Sequence, residues 1–274
     1  MKFFIKTFGC RVNQVESQAL LENFFRHGWT QAEDLQTADL CLLNTCTVTH
    51  QADKDVEKQI RQILRRNPAA RLVLTGCYAA AHQEHIRQAF PQAEIVGKYS
   101  LGKVLFGEED LCWTVSGHEG HSRAFIKIQD GCDCFCSYCI VPFARPDKRS
   151  KPVADVLHEI LTLEQKGFTE IVLTGINIGN YLCPKTGADL AALCRQIAQM
   201  PGRFRVRFSS IELQTVTDGV VDCMSARPDR FCNYFHLPLQ AGCDKVLADI
   251  RPLTAPRWSF CAPACRVFLY LRML

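Results

Sequence analysis

The chain has 274 residues, 47% of them hydrophobic, and carries 32 Lys and Arg against 28 Asp and Glu. That is length enough for about two domains with apolar cores, and a net charge of +4 permits an RNA partner without requiring one. Sixteen cysteines are too sparse for a small disulfide scaffold, Lys6 interrupts the opening apolar residues before a secretory segment forms, and no apolar run reaches bilayer length, so a cytoplasmic, reduced protein with no membrane partner is expected.

Residues 2–7 read as a strand and 15–27 as a helix with Ala19, Leu20, Leu21 and Phe24 on one face. A buried strand follows at 40–44. The helix at 53–65 turns Val56, Ile60, Ile63 and Leu64 inward and Lys54, Lys58, Arg61 and Arg65 outward. That basic side reads as a solvated surface, with contact to RNA phosphates as the alternative. A strand at 71–75, a helix at 82–90 and a short strand at 93–96 complete a β-α-β alternation, which predicts the α/β class with an open, largely parallel sheet covered on both faces. Residues 98–122 are polar and Gly-spaced, and the domain boundary is expected there. Beyond it, strands at 123–129, 170–174, 205–209 and 234–237 alternate with helices at 153–167, 190–200 and 216–226. This pattern suggests a barrel or partial barrel with its chemistry at the carboxyl ends of the strands.

Cysteines mark those ends. Each of the first three strands runs into one: Cys10 in Thr-Phe-Gly-Cys, Cys46 in Asn-Thr-Cys-Thr and Cys77 in Thr-Gly-Cys-Tyr. In a parallel sheet the carboxyl ends share one edge, so these three thiols are expected to converge as a three-thiolate cluster site. Cys41, Cys112, Cys194, Cys223 and Cys232 read instead as packing residues. Directly after the strand at 123–129, Cys132, Cys136 and Cys139 stand at C-x3-C-x2-C. Three thiolates on one short loop can hold three irons of a 4Fe-4S cubane and leave the fourth iron open for chemistry. A zinc knot is the alternative, but zinc draws a fourth ligand from a second, separated pair, and no matching C-x2-C follows. Cys134, on an extended C-x-C, reads as a packing residue.

These motifs resemble those of the radical S-adenosylmethionine (SAM) methylthiotransferases: the Cys132/Cys136/Cys139 loop, Gly9-Cys10-Arg11-Val12-Asn13-Gln14-Val15-Glu16-Ser17, Asn44-Thr45-Cys46-Thr47-Val48-Thr49, and Thr75-Gly76-Cys77-Tyr78. The wording after Cys10 is most similar to the branch acting on N6-threonylcarbamoyladenosine in tRNA; relatives act on isopentenyladenosine in tRNA or on a ribosomal-protein aspartate. The resemblance implies a flavodoxin-like methylthiotransferase domain at 1–110, a linker at 111–122 and an incomplete radical-SAM (β/α) partial barrel at 123–254, followed by an atypical tail at 255–274. It implies two 4Fe-4S clusters, with Cys132, Cys136 and Cys139 holding the catalytic one and Cys10, Cys46 and Cys77 an auxiliary one. Thr174 and Gly175 would line the SAM pocket, and Ser209 and Glu212 would bond the SAM ribose or amine, although each also reads as an ordinary turn or cap.

The implied reaction is reductive cleavage of SAM to a 5′-deoxyadenosyl radical, hydrogen removal at C2 of the modified adenosine beside the anticodon, sulfur from the auxiliary cluster, and methylation by a second SAM. The implied partners are the tRNA anticodon loop, SAM and an electron donor such as flavodoxin or ferredoxin. The sequence departs from the family pattern at Pro146, Leu213, Ala241 and Cys243. From Pro252 onward it no longer resembles the family. The last barrel strands and a C-terminal RNA-binding domain are missing from the expected pattern, as a frameshift or misjoined frame would produce, so the chain as given is expected to be a poor enzyme. A truncated, non-catalytic iron-sulfur protein is the competing reading.

Overall fold

A computed structural model describes residues 1–118 and 120–250. The expected tail at 255–274 and residues 251–254 of the expected barrel lie outside the described residues. The chain divides into two compact units, the first comprising residues 1–115 with 143–145, the second residues 116–142 and 146 onward.

The first unit is built on strands β1 (Lys2–Thr7), β2 (Thr30–Gln31), β3 (Leu40–Thr45), β4 (Arg71–Gly76) and β5 (Ala93–Ile95), all parallel, in the order β2-β1-β3-β4-β5. This is the order of flavodoxin-like doubly wound sheets, which bind ligands where the winding reverses. β3 is buried along its whole length, and its side chains alternate between two cores. Leu40 and Leu42 face Leu20 and Phe24 of helix α1 (Arg11–Arg26), while Cys41 and Leu43 face Val56, Ile60 and Ile63 of α2 (His50–Arg66). Each such fully buried Leu, Ile or Phe contributes roughly 1.5–3 kcal/mol. Thr49 caps α2 by accepting the Ala52 N–H at 3.1 Å.

Helix α1 begins at Arg11, four residues before the expected start. The apolar count missed this turn because Val12 is its one apolar residue and the neighbouring Asn13 is buried as a polar side chain. The expected helix at 82–90 forms as α4 (Gln83–Ala89), preceded by a short unexpected helix, α3 (Cys77–Ala81), and a helix α5 (Leu101–Phe106) folds inside the stretch read as a polar linker.

In the second unit, β6 (Ala124–Asp130), β8 (Glu170–Gly175) and β9 (Arg205–Phe208) are parallel, and the two-residue β7 (Arg149–Ser150) pairs antiparallel on β6 after the four-residue helix α6 (Val141–Ala144). Helices α7 (Val153–Gln165), α8 (Leu190–Gln199) and α9 (Asp218–Ala226) supply the other half of the core, in which Ile126, Leu173 and Phe208 meet Val156, Ile160, Leu193 and Ile197. Cys194 and Cys223 belong to this core, Cys41 and Cys232 are likewise buried, and burial pushes all four thiols up.

The expected strand at 234–237 does not form. Its segment pairs with β9 and the residues after it only through single bridges, Val206 to Phe231 and Ser210 to His236. Between them Tyr234 gives its N–H to the Cys232 carbonyl at 2.8 Å, a tight local turn that takes the donor away from a ladder. A last helix, α10 (Asp244–Ile250), follows. Among the described residues no helix is long and apolar enough to cross a membrane.

Candidate metal centres

In the first unit, β1, β3 and β4 deliver Cys10, Cys46 and Cys77 to one edge of the sheet. Close backbone approach at that edge depends on two left-handed glycines. A Cβ on Gly9 (φ +92°) would lie 2.4 Å from Cys46 Sγ, and one on Gly76 (φ +90°) would lie 2.4 Å from the Thr45 carbonyl oxygen. These are spaces that only Gly can leave open.

Asn13 joins the loops. Its Nδ2 donates to the Phe8 carbonyl at 2.9 Å and to the Thr45 carbonyl at 3.0 Å, and its Oδ1 lies 3.8 Å from Cys10 Sγ. Thr45 Oγ1 donates to the Thr75 carbonyl at 2.5 Å and accepts the Ala79 N–H at 3.0 Å, which ties the Cys46 loop to the start of α3.

Arg145 completes this site. It is buried, and its guanidinium donates to both Glu16 carboxylate oxygens at 2.7 and 2.9 Å, to Asn13 Oδ1 at 2.8 Å and to Cys77 Sγ at 3.2 Å. Lys98 Nζ adds a second cation 3.0 Å from Glu16 Oε1. Burial pushes the Cys77 thiol up, against the pull of Arg145. Burial also works against the Arg145 charge, but Glu16 and Cys77 outweigh it and hold its pKa above the usual arginine value.

In the second unit, β6 ends at Asp130 and the chain turns at Gly131 (φ +74°), where a Cβ would meet the Asp147 carbonyl at 2.2 Å. Cys132, Cys136 and Cys139 follow within electrostatic reach of one another. Phe135 adopts φ 44°, uncommon for a bulky residue, and Cys139 closes a turn onto the Cys136 carbonyl at 2.9 Å. Hydrogen bonding from Cys134, whose N–H lies 3.4 Å from Cys132 Sγ, outweighs burial and lowers the Cys132 thiol to about 7. Cys134 itself receives Asn177 Nδ2 at 3.8 Å.

Gln129 fixes the loop's root. It donates to the Asp130 and Gly131 carbonyls at 2.7 and 2.8 Å and accepts the Asn177 N–H at 2.7 Å. Thr174 and Gly175 end β8 alongside, with the Gly175 Cα face against the Gln129 carbonyl. Ser209 follows β9, its N–H bonded to the Leu173 carbonyl at 2.9 Å, and Glu212 accepts Gln240 Nε2 at 3.3 Å. Thr174, Gly175, Ser209 and Glu212 thus all follow or end strands at the edge that carries the cysteine loop. A cavity of about 490 Å³ bounded by Arg203, Arg205 and Arg230 lies at the start of β8 and β9, the opposite edge.

Among the described residues no three His, Cys, Asp or Glu side chains are grouped closely enough to chelate a single ion. A cubane spreads its thiolates over separate irons, so its ligands need not meet at a point. One further observation fits a bound group here: among the described residues, Asn177 Oδ1 is buried beside the second loop with no hydrogen-bond partner. Asn13, Glu16, Gln129, Arg145 and Asn177 were not singled out as site residues from the sequence. The available signal was polar residues on an otherwise inward face, as at Asn13 and Glu16 among Val12, Val15 and Ala19.

Residues 2–97 match the uncharacterized protein family UPF0004, and residues 126–260 match the radical SAM superfamily. Threonylcarbamoyladenosine tRNA methylthiotransferase MtaB of Chlamydia pneumoniae is 36% identical over 251 residues, 89% of this chain. The MtaB proteins of Thermotoga maritima and Bacillus subtilis are each 34% identical over the same share of the chain. The chain is thus similar over most of its length to these methylthiotransferases and matches the radical SAM superfamily in its second half. It spans 59% of the length of these three methylthiotransferases. A tRNA-2-methylthio-N(6)-dimethylallyladenosine synthase of Desulfotalea psychrophila is 30% identical over 90% of the chain. In fold, the chain is similar to the radical SAM methyltransferase TsrM of Kitasatospora setae, with a TM-score of 0.69 at 13% identity over 99% of this chain and 65% of that one.

Proposed function

We propose that this chain is the methylthiotransferase and radical-SAM portion of a tRNA methylthiotransferase acting at C2 of N6-threonylcarbamoyladenosine beside the anticodon. The observation that carries the reading is the pairing of two cysteine trios, each at the carboxyl ends of parallel strands. In this reading Cys132, Cys136 and Cys139 hold one 4Fe-4S cluster, and Cys10, Cys46 and Cys77 hold the other. Thr174, Gly175, Ser209 and Glu212 bind SAM, which supplies the radical and the methyl group when bound.

The protein's own residues orient and shield. Gln129 fixes the loop that carries the first trio, Asn177 offers its Oδ1 toward a ligand donor, and Asn13 and Arg145 hold the second trio's loops in register. Exposed Phe135 and Tyr138 flank the first trio's thiols, as aromatic platforms for an unstacked base do in RNA recognition. A flavodoxin or ferredoxin as electron donor and a cytoplasmic site of action belong to the same proposal.

The threonylcarbamoyl substrate is favoured over dimethylallyladenosine by the naming of the three relatives at 34–36% identity. Mass spectrometry of tRNA nucleosides from cells lacking the full gene tests the choice. Loss of the methylthio group from threonylcarbamoyladenosine, with its retention on the dimethylallyl nucleoside, is the expected pattern. The reverse pattern assigns the other substrate.

A further inference from the structure

Arg145 stands six residues after Cys139 in the chain, yet residues 143–145 belong to the first unit while both flanking segments belong to the second. Burying a guanidinium is costly, and a buried ion pair adds little net stability over apolar packing. Arg145 is nevertheless 7% exposed and Glu16 2%, and one guanidinium nitrogen is spent on a sulfur, at 3.2 Å from Cys77 Sγ. Arg145 lies directly on that sulfur, and the Glu16 carboxylate that holds it is also paired with Lys98.

Resting on the proposed assignment of Cys77 to an auxiliary cluster, we infer that Arg145 is a positioning residue that raises that cluster's reduction potential by N–H···S donation and by its charge, with Glu16 opposing it. Reduction adds negative charge to the cluster, so a cation and a donor at a ligand sulfur stabilise the reduced form more than the oxidised form; net charge and hydrogen bonds to sulfur are the established levers on such potentials. Glu16 does two things at once. It holds the guanidinium in a bidentate grip that aims Nε at Cys77, and its own charge works the other way.

The test uses the full chain carrying Cys136→Ala, so that only the auxiliary site is loaded after anaerobic reconstitution with iron and sulfide. Its midpoint potential is measured by EPR-monitored redox titration, alone and with Arg145→Gln, Arg145→Lys or Glu16→Gln added. Arg145→Gln is expected to lower the potential, Arg145→Lys to recover part of the loss, and Glu16→Gln to raise it, at an iron content of about four per chain throughout. Opposite shifts from two residues in the same ion pair distinguish a charge effect from a disturbed fold, which would move both variants the same way. Unchanged potentials, or shifts of the same sign, overturn the inference. If Arg145→Gln does not fold, Arg145→Lys and Glu16→Gln decide it. Failure of the Cys136→Ala chain itself to take up iron overturns the assignment of Cys10, Cys46 and Cys77, and the inference with it.

Discussion

The side-chain oxygen of Gln129 accepts the backbone N–H of Asn177 at 2.7 Å, joining the end of β6 to the loop after β8. Both residues are buried. Replacing Gln129 with Leu removes that acceptor and both donors to the Asp130 and Gly131 carbonyls. A buried polar group left unpaired costs about 1–3 kcal/mol, so Gln129→Leu is expected to lower the denaturation midpoint by a corresponding amount. A midpoint equal to that of the parent chain would count against this role.

Anaerobic reconstitution should load about eight irons per chain, falling to about four in Cys136→Ala and to about four in Cys46→Ala. The check is iron and sulfide analysis beside metal analysis for zinc. Stoichiometric zinc in place of iron would refute both cluster assignments.

Gly76 holds φ +90° with the Thr45 carbonyl 2.4 Å from where a Cβ would stand. Gly76→Ala combines backbone strain with overpacking against main chain, and about 2 kcal/mol or more of stability should be lost. Iron at the auxiliary site should fall while the Cys132 loop still loads. Separate reconstitution in the Cys136→Ala and Cys46→Ala backgrounds would tell the two sites apart.

Glu57 braces α2 against the residue that follows Cys77. It accepts Tyr78 Oη at 3.0 Å and pairs with His85 at 2.9 Å and Arg61 at 2.6 Å. Burial pushes its carboxyl up, but the bonds from His85, Tyr78 and Arg61 outweigh it and leave the pKa below the ordinary value. A carboxylate depressed in the folded state stabilises above its unfolded pKa and loses that effect as pH falls through the folded value. The Tm difference between parent and Glu57→Gln should therefore be largest near neutral pH and shrink through the acidic carboxylate range. A difference that stays constant with pH would remove the electrostatic explanation.

Much of this was readable from residue order. A continuous apolar run in 40–44 and helical spacing in 53–65 predict β3 and α2, and a cysteine after each of the three early strands predicts a shared edge. What escaped reading has physical causes. The first turn of α1 hides because Asn13 faces inward as a polar residue satisfied by distant partners, Arg145 among them. The expected strand at 234–237 has the right apolar content but spends the Tyr234 donor on a local turn. β2 and β7 are two residues long, too short to leave a pattern. Arg145 drew no notice because its partners lie more than 65 positions away in sequence, which no local reading detects.

That distance has a consequence in time. Chains grow from the amino terminus and early segments begin folding while later ones are still being made. Synthesis reaches Val115, the end of the first unit's continuous stretch, thirty residues before Arg145 exists. Until then the Glu16 carboxylate lacks its guanidinium and Cys77 lacks its donor. The first unit cannot reach its final hydrogen-bonded state until the Cys132, Cys136 and Cys139 loop has also emerged, so its own last piece is made after a segment that belongs to the other unit.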